Sequence, residues 1–94
     1  MVIEELIFEV ANDEHDAWIA ADAASWTPFL SRQRGFVSKQ LWVRRDEPDR
    51  IRAIIIWTDE ASWKSIPQAD LDACDDLMGA LKRPLVCNTH DVIG

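Results

Sequence analysis

The pattern of apolar positions predicts four strands. Residues 2–10 combine β-branched and apolar side chains on both faces, which is typical of a central strand that is partly covered on each side. Two further strands are predicted over 36–45 and 51–58, because a polar turn over 46–49 separates two runs rich in β-branched and aromatic residues. A last strand is predicted over 85–93. The larger apolar face of the first strand carries Val2, Leu6, Phe8 and Val10.

Helical stretches fill the intervals between the first two strands and between the last two. Asn12 and Asp13 are the candidate caps of a first helix, which Pro28 should break, and a short second helix is predicted from Thr27-Pro28 to a stop at Gly35. Asp59 is predicted to cap another short helix, which Pro67 interrupts. The following amphipathic helix has apolar residues at helical spacing: Leu71, Cys74, Leu77, Met78 and Leu81.

The third predicted strand carries the strongest constraint on the architecture. Six of the seven residues in 51–57 are apolar, so this strand needs cover on both faces. Helices on one side of a single sheet leave the other side exposed, and another layer must cover it. The sequence therefore predicts a homodimer in which two sheets pack face to face.

The element order is strand, helix, strand, strand, helix, strand. This order predicts an α+β fold of the ferredoxin-like βαββαβ type, with a four-stranded antiparallel sheet and both helical layers on one face. Residues 1–94 are expected to form one domain. If Arg45 lies opposite Arg50 in the hairpin, Leu41 pairs with Ile54, and the face opposite Leu41 carries Gln40, Trp42, Arg44, Ile55 and Trp57.

Composition narrows the range of partners. The formal net charge is -7 and 48% of the residues are apolar, which excludes a disordered chain and argues against nucleic acid as the main partner. No apolar run is long enough for a membrane span and no signal peptide is recognisable, so a cytoplasmic location is expected. Cys74 and Cys87 match no zinc pattern and are predicted to be buried free thiols. No residue pattern indicates a metal ion or another cofactor.

Charge is distributed unevenly along the chain. Residues 32–52 hold seven of the ten basic residues and only three acidic ones, so the remainder of the chain is strongly acidic. A basic hairpin of this kind can dock an anionic group or an acidic surface of another subunit. A solvated sheet edge that discourages aggregation is the simpler interpretation.

Several short motifs carry a family resemblance. Residues 26–30 (WTPFL) and 63–68 (WKSIPQ), together with 35–36 (GF), 42–43 (WV) and 56–57 (IW), resemble a small, mainly cyanobacterial family without an assigned reaction. That family resembles the dimeric α/β-barrel superfamily, which includes the antibiotic-biosynthesis monooxygenases. The resemblance covers nearly the whole chain and implies a dimeric α/β barrel.

The resemblance also implies two chemistries. Superfamily members hold an apolar ligand between sheet and helices, and some degrade haem with an Asn on the first strand and a His near the second helix. This chain has neither residue in place, because Asn12 follows the strand and His90 lies in the last strand. The monooxygenase branch needs only an apolar, aromatic-walled cavity with a few polar groups. Its candidate pocket is formed by Gln40, Trp42, Arg44, Trp57 and His90.

Three functional hypotheses follow. The first is a monooxygenase-like protein that binds or oxidises a small apolar or aromatic molecule without a cofactor. This hypothesis requires that Trp42 and Trp57 line one pocket on the helix side of the sheet and do not face the partner subunit. The second is a non-catalytic homodimer that binds a ligand or a protein. The third is haem binding through His90 without degradation. The other tryptophans, Trp18, Trp26 and Trp63, are expected to pack in the core or at an interface, and Trp57 has this simpler interpretation as well.

Overall fold

The computed structural model describes residues 1–94 and contains one four-stranded antiparallel sheet. The strands are β1 (Val2–Glu9), β2 (Phe36–Trp42), β3 (Arg50–Trp57) and β4 (Leu85–Asp91), in the spatial order β2-β3-β1-β4. The helices are α1 (His15–Ala24), α2 (Trp26–Ser31), α3 (Glu60–Lys64) and α4 (Gln68–Asp76), with short 3-10 segments at Asn12–Glu14 and Gly79–Leu81. This arrangement confirms the ferredoxin-like α+β fold. None of these helices has the length and apolar character needed to cross a bilayer.

A local sequence signal accounts for the start of α3, and the ends of α2 and α4 depart from the predicted ones. The carboxylate of Asp59 accepts a 2.7 Å hydrogen bond from the Ser62 backbone N–H and caps α3 as predicted. Helix α2 begins at Trp26 rather than at Pro28, and the proline lies in its first turn, where a missing N–H costs no helical hydrogen bond. Helix α4 ends at Asp76, although the predicted helix continued through Leu81 to Pro84, and Leu77 is left 70% exposed.

The helices cover one face of the sheet and form the core with it. Trp57 and Ile51 of β3 are completely buried, and Trp18 of α1 is 1% exposed. Two apolar clusters lie in this layer, one around Trp57 and Leu30 and the other around Trp18 and Met78. Packing of Trp18, Trp26, Trp57 and Trp63 in or against these clusters is confirmed.

The hairpin register differs by one residue from the predicted one. Leu41 pairs with Ala53 and Trp42 pairs with Arg52, so the predicted Leu41–Ile54 pairing is wrong. The connection between β2 and β3 spans seven residues instead of a four-residue turn, and a bulge interrupts β2 between Phe36 and Ser38. A one-residue slip moves every side chain of a strand to the other face.

The second face of the sheet has no helix over it, and we call it the open face. Its residues come from all four strands: Ile3, Glu5, Ile7, Gln40, Trp42, Arg52, Ile54, Ile56, Val86, Asn88 and His90. Every residue of β4 is exposed. The prediction of two buried thiols is therefore right for Cys74 and wrong for Cys87, because no helix covers β4.

Candidate functional site

The structure divides the five predicted pocket residues between the two faces of the sheet. Gln40, Trp42 and His90 lie on the open face, and Arg44 lies two residues beyond the end of β2. Trp57 lies on the helix-covered face and is completely buried. The prediction that Trp42 and Trp57 wall one pocket is therefore wrong, and its physical cause is the one-residue shift in register.

A concavity of about 530 Å³ lies beside the open face. Its lining residues are Glu5, Trp42, Val43, Arg44 and Arg52. Trp42 is 52% exposed, and its indole Nε1 donates a 3.0 Å hydrogen bond to Gln40 Oε1. An indole held in this way offers a fixed apolar surface on which an aromatic ring can pack.

Glu5 connects this concavity to β4. Its Oε1 atom lies 3.1 Å from His90 Nε2 and accepts a 3.2 Å hydrogen bond from the Asn88 amide. These strand neighbours meet because Glu5 pairs with Asn88 in the β1–β4 register. The hydrogen bond from His90 lowers the pKa of Glu5, and Asn88 and Arg52 act in the same direction. A carboxylate that accepts a hydrogen bond from one imidazole N–H leaves the other nitrogen free to act as a base.

A second carboxylate organises the arginines of the hairpin. Glu47 Oε1 accepts hydrogen bonds from Arg52 Nη2 at 3.0 Å and from Arg44 Nη1 at 3.2 Å, and its Oε2 accepts one from Arg50 at 2.5 Å. The hydrogen bond from Arg52 is the main cause that lowers the pKa of Glu47. The basic hairpin is thus largely neutralised by acidic residues within and beside it, including Glu9, whose carboxylate lies 3.0 Å from Arg50 Nε.

Arg52 keeps one donor without a partner. Its Nε lies 3.9 Å from Glu5 Oε2 and its Nη2 is bonded to Glu47, but Nη1 is buried and makes no hydrogen bond. Buried guanidinium donors are almost always satisfied. This atom belongs to a lining residue of the concavity, and it distinguishes Arg52 from the mutually paired charges around it.

The interior between sheet and helices contains two carboxylate contacts, Glu4 with Trp57 and Asp22 with Lys39, and none of the four concavities lies within it. Glu4 lies on this side of β1, and its Oε1 accepts a 3.1 Å hydrogen bond from Trp57 Nε1. Burial raises the pKa of Glu4, against the opposing effects of the Trp57 hydrogen bond and of Lys64. The four concavities of the molecule are all lined by surface or interhelical residues. The sheet–helix layer is filled by side chains such as Trp18 and Ile55.

Sequence reasoning missed Glu4, Glu5 and Arg52. Arg52 is the one charged residue in the apolar run of 51–57, and Glu4 interrupts the apolar face formed by Val2 and Leu6. A lone charge inside an apolar strand is the signal that points to these residues, because burying it requires a partner. Glu5 gives no such signal, since its importance depends on pairing with β4.

The site does not resemble a metal centre. No group of three or more histidine, cysteine, aspartate or glutamate side chains is arranged to hold a metal ion. His90 has one ring nitrogen engaged by Glu5 and lies on the open face, away from the helices. The haem-degrading superfamily members named in the sequence analysis have their histidine near a helix. His90 does not occupy that position.

Comparisons with known proteins agree with the fold. Residues 1–70 match the family model described as antibiotic biosynthesis monooxygenase. A mutant of SnoaB, a cofactor-independent oxygenase from Streptomyces nogalater, is 25% identical, with 97% of this chain and 91% of that chain covered and a TM-score of 0.68. A Bordetella bronchiseptica protein that carries the family's name is 19% identical, with 98% and 97% covered and a TM-score of 0.79. No curated protein matches this chain.

Proposed function

This chain belongs to the antibiotic biosynthesis monooxygenase family, and we propose that it binds a small apolar or aromatic molecule at the open-face concavity and oxidises it without a bound cofactor. The observation that carries the proposal is the half-exposed Trp42, which lines a concavity of about 530 Å³ together with Arg52 and Glu5. The similarity to a cofactor-independent oxygenase supports the reaction class. We propose that residues 1–94 form one domain of this kind and that it acts in the cytoplasm.

We also propose that a second copy of the chain covers the open face. Exposed apolar side chains lie there, with Val86 60% exposed and Trp42 52% exposed, and contiguous apolar surface of this kind favours association. In such a homodimer the concavity lies within the interface, because its lining residues Glu5, Trp42 and Arg52 belong to the open face. A bound aromatic molecule would then be shielded from water on the side where the monomer is open.

His90 is the residue that we propose as the base. Its Nε2 is held by Glu5, so Nδ1 is the nitrogen left to accept a proton from a phenolic hydroxyl. The resulting phenolate is electron-rich and can reduce dioxygen directly. Conversion of a phenol and O₂ to a quinone and water balances without an external reductant, because the substrate supplies all the electrons.

Oxygen uptake with a panel of monocyclic and polycyclic phenols, in buffer containing a chelator, tests this function. We expect uptake with matching quinone absorbance, a kcat lowered about 100-fold in His90→Ala, and a KM raised about tenfold in Trp42→Ala. Leu77→Ala is the control, because Leu77 is exposed on the opposite side of the molecule. Uptake no faster than that in enzyme-free buffer for every phenol would exclude the reaction.

The alternative is a non-catalytic homodimer that binds a ligand or a protein. It is favoured by the mutual pairing of Arg44, Arg50 and Arg52 with Glu47, which leaves few charged groups free for chemistry. Saturable binding of an aromatic compound without turnover would support this alternative over the oxygenase.

A further inference from the structure

A groove of about 480 Å³ lies between α2 and α4, and we call it the interhelical groove. All of its lining residues belong to or adjoin α1, α2 and α4, whereas the open face has no helix over it. A second copy packed on the open face therefore leaves the interhelical groove accessible. Its volume falls within the range of about 300–1,000 Å³ that is typical of sites for small molecules.

The two buried residues that line the groove are uncharged. Ser25 and Cys74 are each 4% exposed. The Ser25 hydroxyl donates a 2.7 Å hydrogen bond to the Ala21 carbonyl, so its proton is already engaged. Burial raises the pKa of Cys74 to about 11, so its thiol is neutral at pH 7. Because Phe29 and Leu77 also line the groove, this surface receives an apolar side chain more readily than a charged one.

Two opposite charges complete the lining of the groove. Arg32 directly follows α2 and Asp70 lies in the first turn of α4, so the charges come from the two sides of the groove, and both residues are exposed. Neither side chain forms an ion pair, with the other or with any third residue. The groove therefore presents a free cation and a free anion that are too far apart to pair with each other.

We infer that the interhelical groove binds a free α-amino acid with an apolar side chain. Arg32 binds the carboxylate, to which a planar guanidinium is well matched, and Asp70 binds the ammonium group. The apolar side chain packs against Phe29 and Leu77. A fatty acid or an apolar amine would leave one of the two charges without a partner, whereas a zwitterion satisfies both. This site is separate from the open face and goes beyond the oxidation proposed there.

NMR titration of the isotope-labelled full chain tests the inference, because it measures affinity and location together. The probes are L-phenylalanine, its N-acetyl derivative without the ammonium group, and its amide without the carboxylate. We expect L-phenylalanine to shift the backbone amide resonances of Ala24, Phe29 and Ala73, which line the groove. It should bind about tenfold more tightly than either derivative. Glycine carries both charges without an apolar side chain and should bind at least about tenfold more weakly.

Matched variants assign the two charges. Arg32→Gln should weaken L-phenylalanine and the N-acetyl derivative and leave binding of the amide unchanged. Asp70→Asn should weaken L-phenylalanine and the amide and leave binding of the N-acetyl derivative unchanged. Arg34→Gln and Asp72→Asn are the controls, because both residues are exposed and line no part of this groove. Ala73→Phe should fill the groove and abolish binding of all three probes. Thermal melting checks that each variant is folded.

Several outcomes would overturn the inference. Equal affinity for the three probes would show that the two charges are not recognised. Equal loss of all three in Arg32→Gln would make Arg32 a structural residue only. Shifts confined to the open face, or none in the groove at millimolar L-phenylalanine, would leave the groove without this ligand. Oxygen uptake with phenols tests the proposed function separately, since neither Arg32 nor Asp70 lies on the open face.

Discussion

The Trp57 indole donates a hydrogen bond from Nε1 to Glu4 Oε1 across 3.1 Å, joining the two central strands within the helix-covered layer. Trp57 is completely buried, so its N–H has no access to water. Glu4 supplies the acceptor that a buried indole needs. The carboxyl group is partly desolvated in return, and its burial raises its pKa.

This contact predicts a pH dependence of stability. Because the folded chain holds the Glu4 proton more tightly than the unfolded chain, stability should fall as pH rises from the ordinary glutamate pKa of 4.5 through the higher folded value. Glu4→Gln keeps an acceptor for Trp57 and removes the charge. We expect it to be more stable than wild type at pH 7 by about 1 kcal/mol, or roughly 4–8 °C in Tm. Glu60→Gln, at an exposed position whose carboxylate makes no ion pair, is the control. Identical pH profiles of Glu4→Gln and wild type in urea unfolding would contradict the prediction.

A buried ion pair links α1 to β2 and predicts strong non-additivity. The Lys39 ammonium contacts the Asp22 carboxylate and also donates to Thr27 Oγ1 at 2.7 Å, and both charged side chains are 5% exposed. Lys39→Met leaves a buried carboxylate without its partner and should cost about 3–5 kcal/mol. The double variant Asp22→Leu/Lys39→Met should recover most of that loss. Urea denaturation of both, with the exposed Lys82→Met as control at under about 1 kcal/mol, measures the effect. Additive costs would argue against a coupled pair.

Gly35 is required by both its backbone angle and its surroundings. It has φ +83°, and a Cβ placed there would lie 2.4 Å from Ser62 Cβ. Gly79 has φ +56° but nothing within 4 Å of the same position. Gly79→Ala should therefore cost about 1 kcal/mol for the left-handed conformation alone, and Gly35→Ala at least about 2 kcal/mol because the chain between α2 and β2 must also move. Chemical denaturation of the two variants side by side tests this, and equal costs would show that the contact with Ser62 yields easily.

The two thiols should react at different rates. Burial raises the pKa of Cys74 to about 11, so at pH 8 roughly one molecule in a thousand carries its thiolate. Cys87 is exposed on β4, although its pKa is also raised. We expect iodoacetamide to label Cys87 first and Cys74 only after urea is added, with Cys87→Ser lacking the early product in peptide mass spectra. Early labelling of Cys74 in native protein would contradict its burial.

The order of elements could be predicted because the apolar pattern is strong in each segment. The run over 51–57 predicted a strand that is apolar on both faces, and the structure places Ile51 and Trp57 against helices and Ile54 on the open face. Asp59 was identified as a helix cap because a carboxylate next to a free backbone N–H is a local property of the sequence.

The composition of the site could not be predicted to the same degree. Gln40, Trp42 and Trp57 were assigned to one face on the basis of a four-residue turn, but Glu47 bonds to three arginines and closes a longer loop. Contacts of this kind join distant positions and leave no periodic trace in the sequence. The pairing of Glu5 with His90, 85 positions apart, is another example.

The open face yields a direct test of the proposed homodimer. Val86 is 60% exposed on the open face beside Ile7, whereas Leu77 is 70% exposed at the end of α4 on the helix side. Val86→Glu would place a carboxylate inside the interface and should weaken association at least about 100-fold, because that charge would lose its water without gaining a partner. Leu77→Glu makes the same chemical change outside the interface and should leave the dimer intact.

Light scattering at micromolar concentration distinguishes the monomer from the dimer, and circular dichroism shows whether the dissociated chain stays folded. A wild-type monomer would contradict the proposed homodimer. A dimer lost in Leu77→Glu but kept in Val86→Glu would assign the interface elsewhere and leave the apolar side chains of the open face in contact with water.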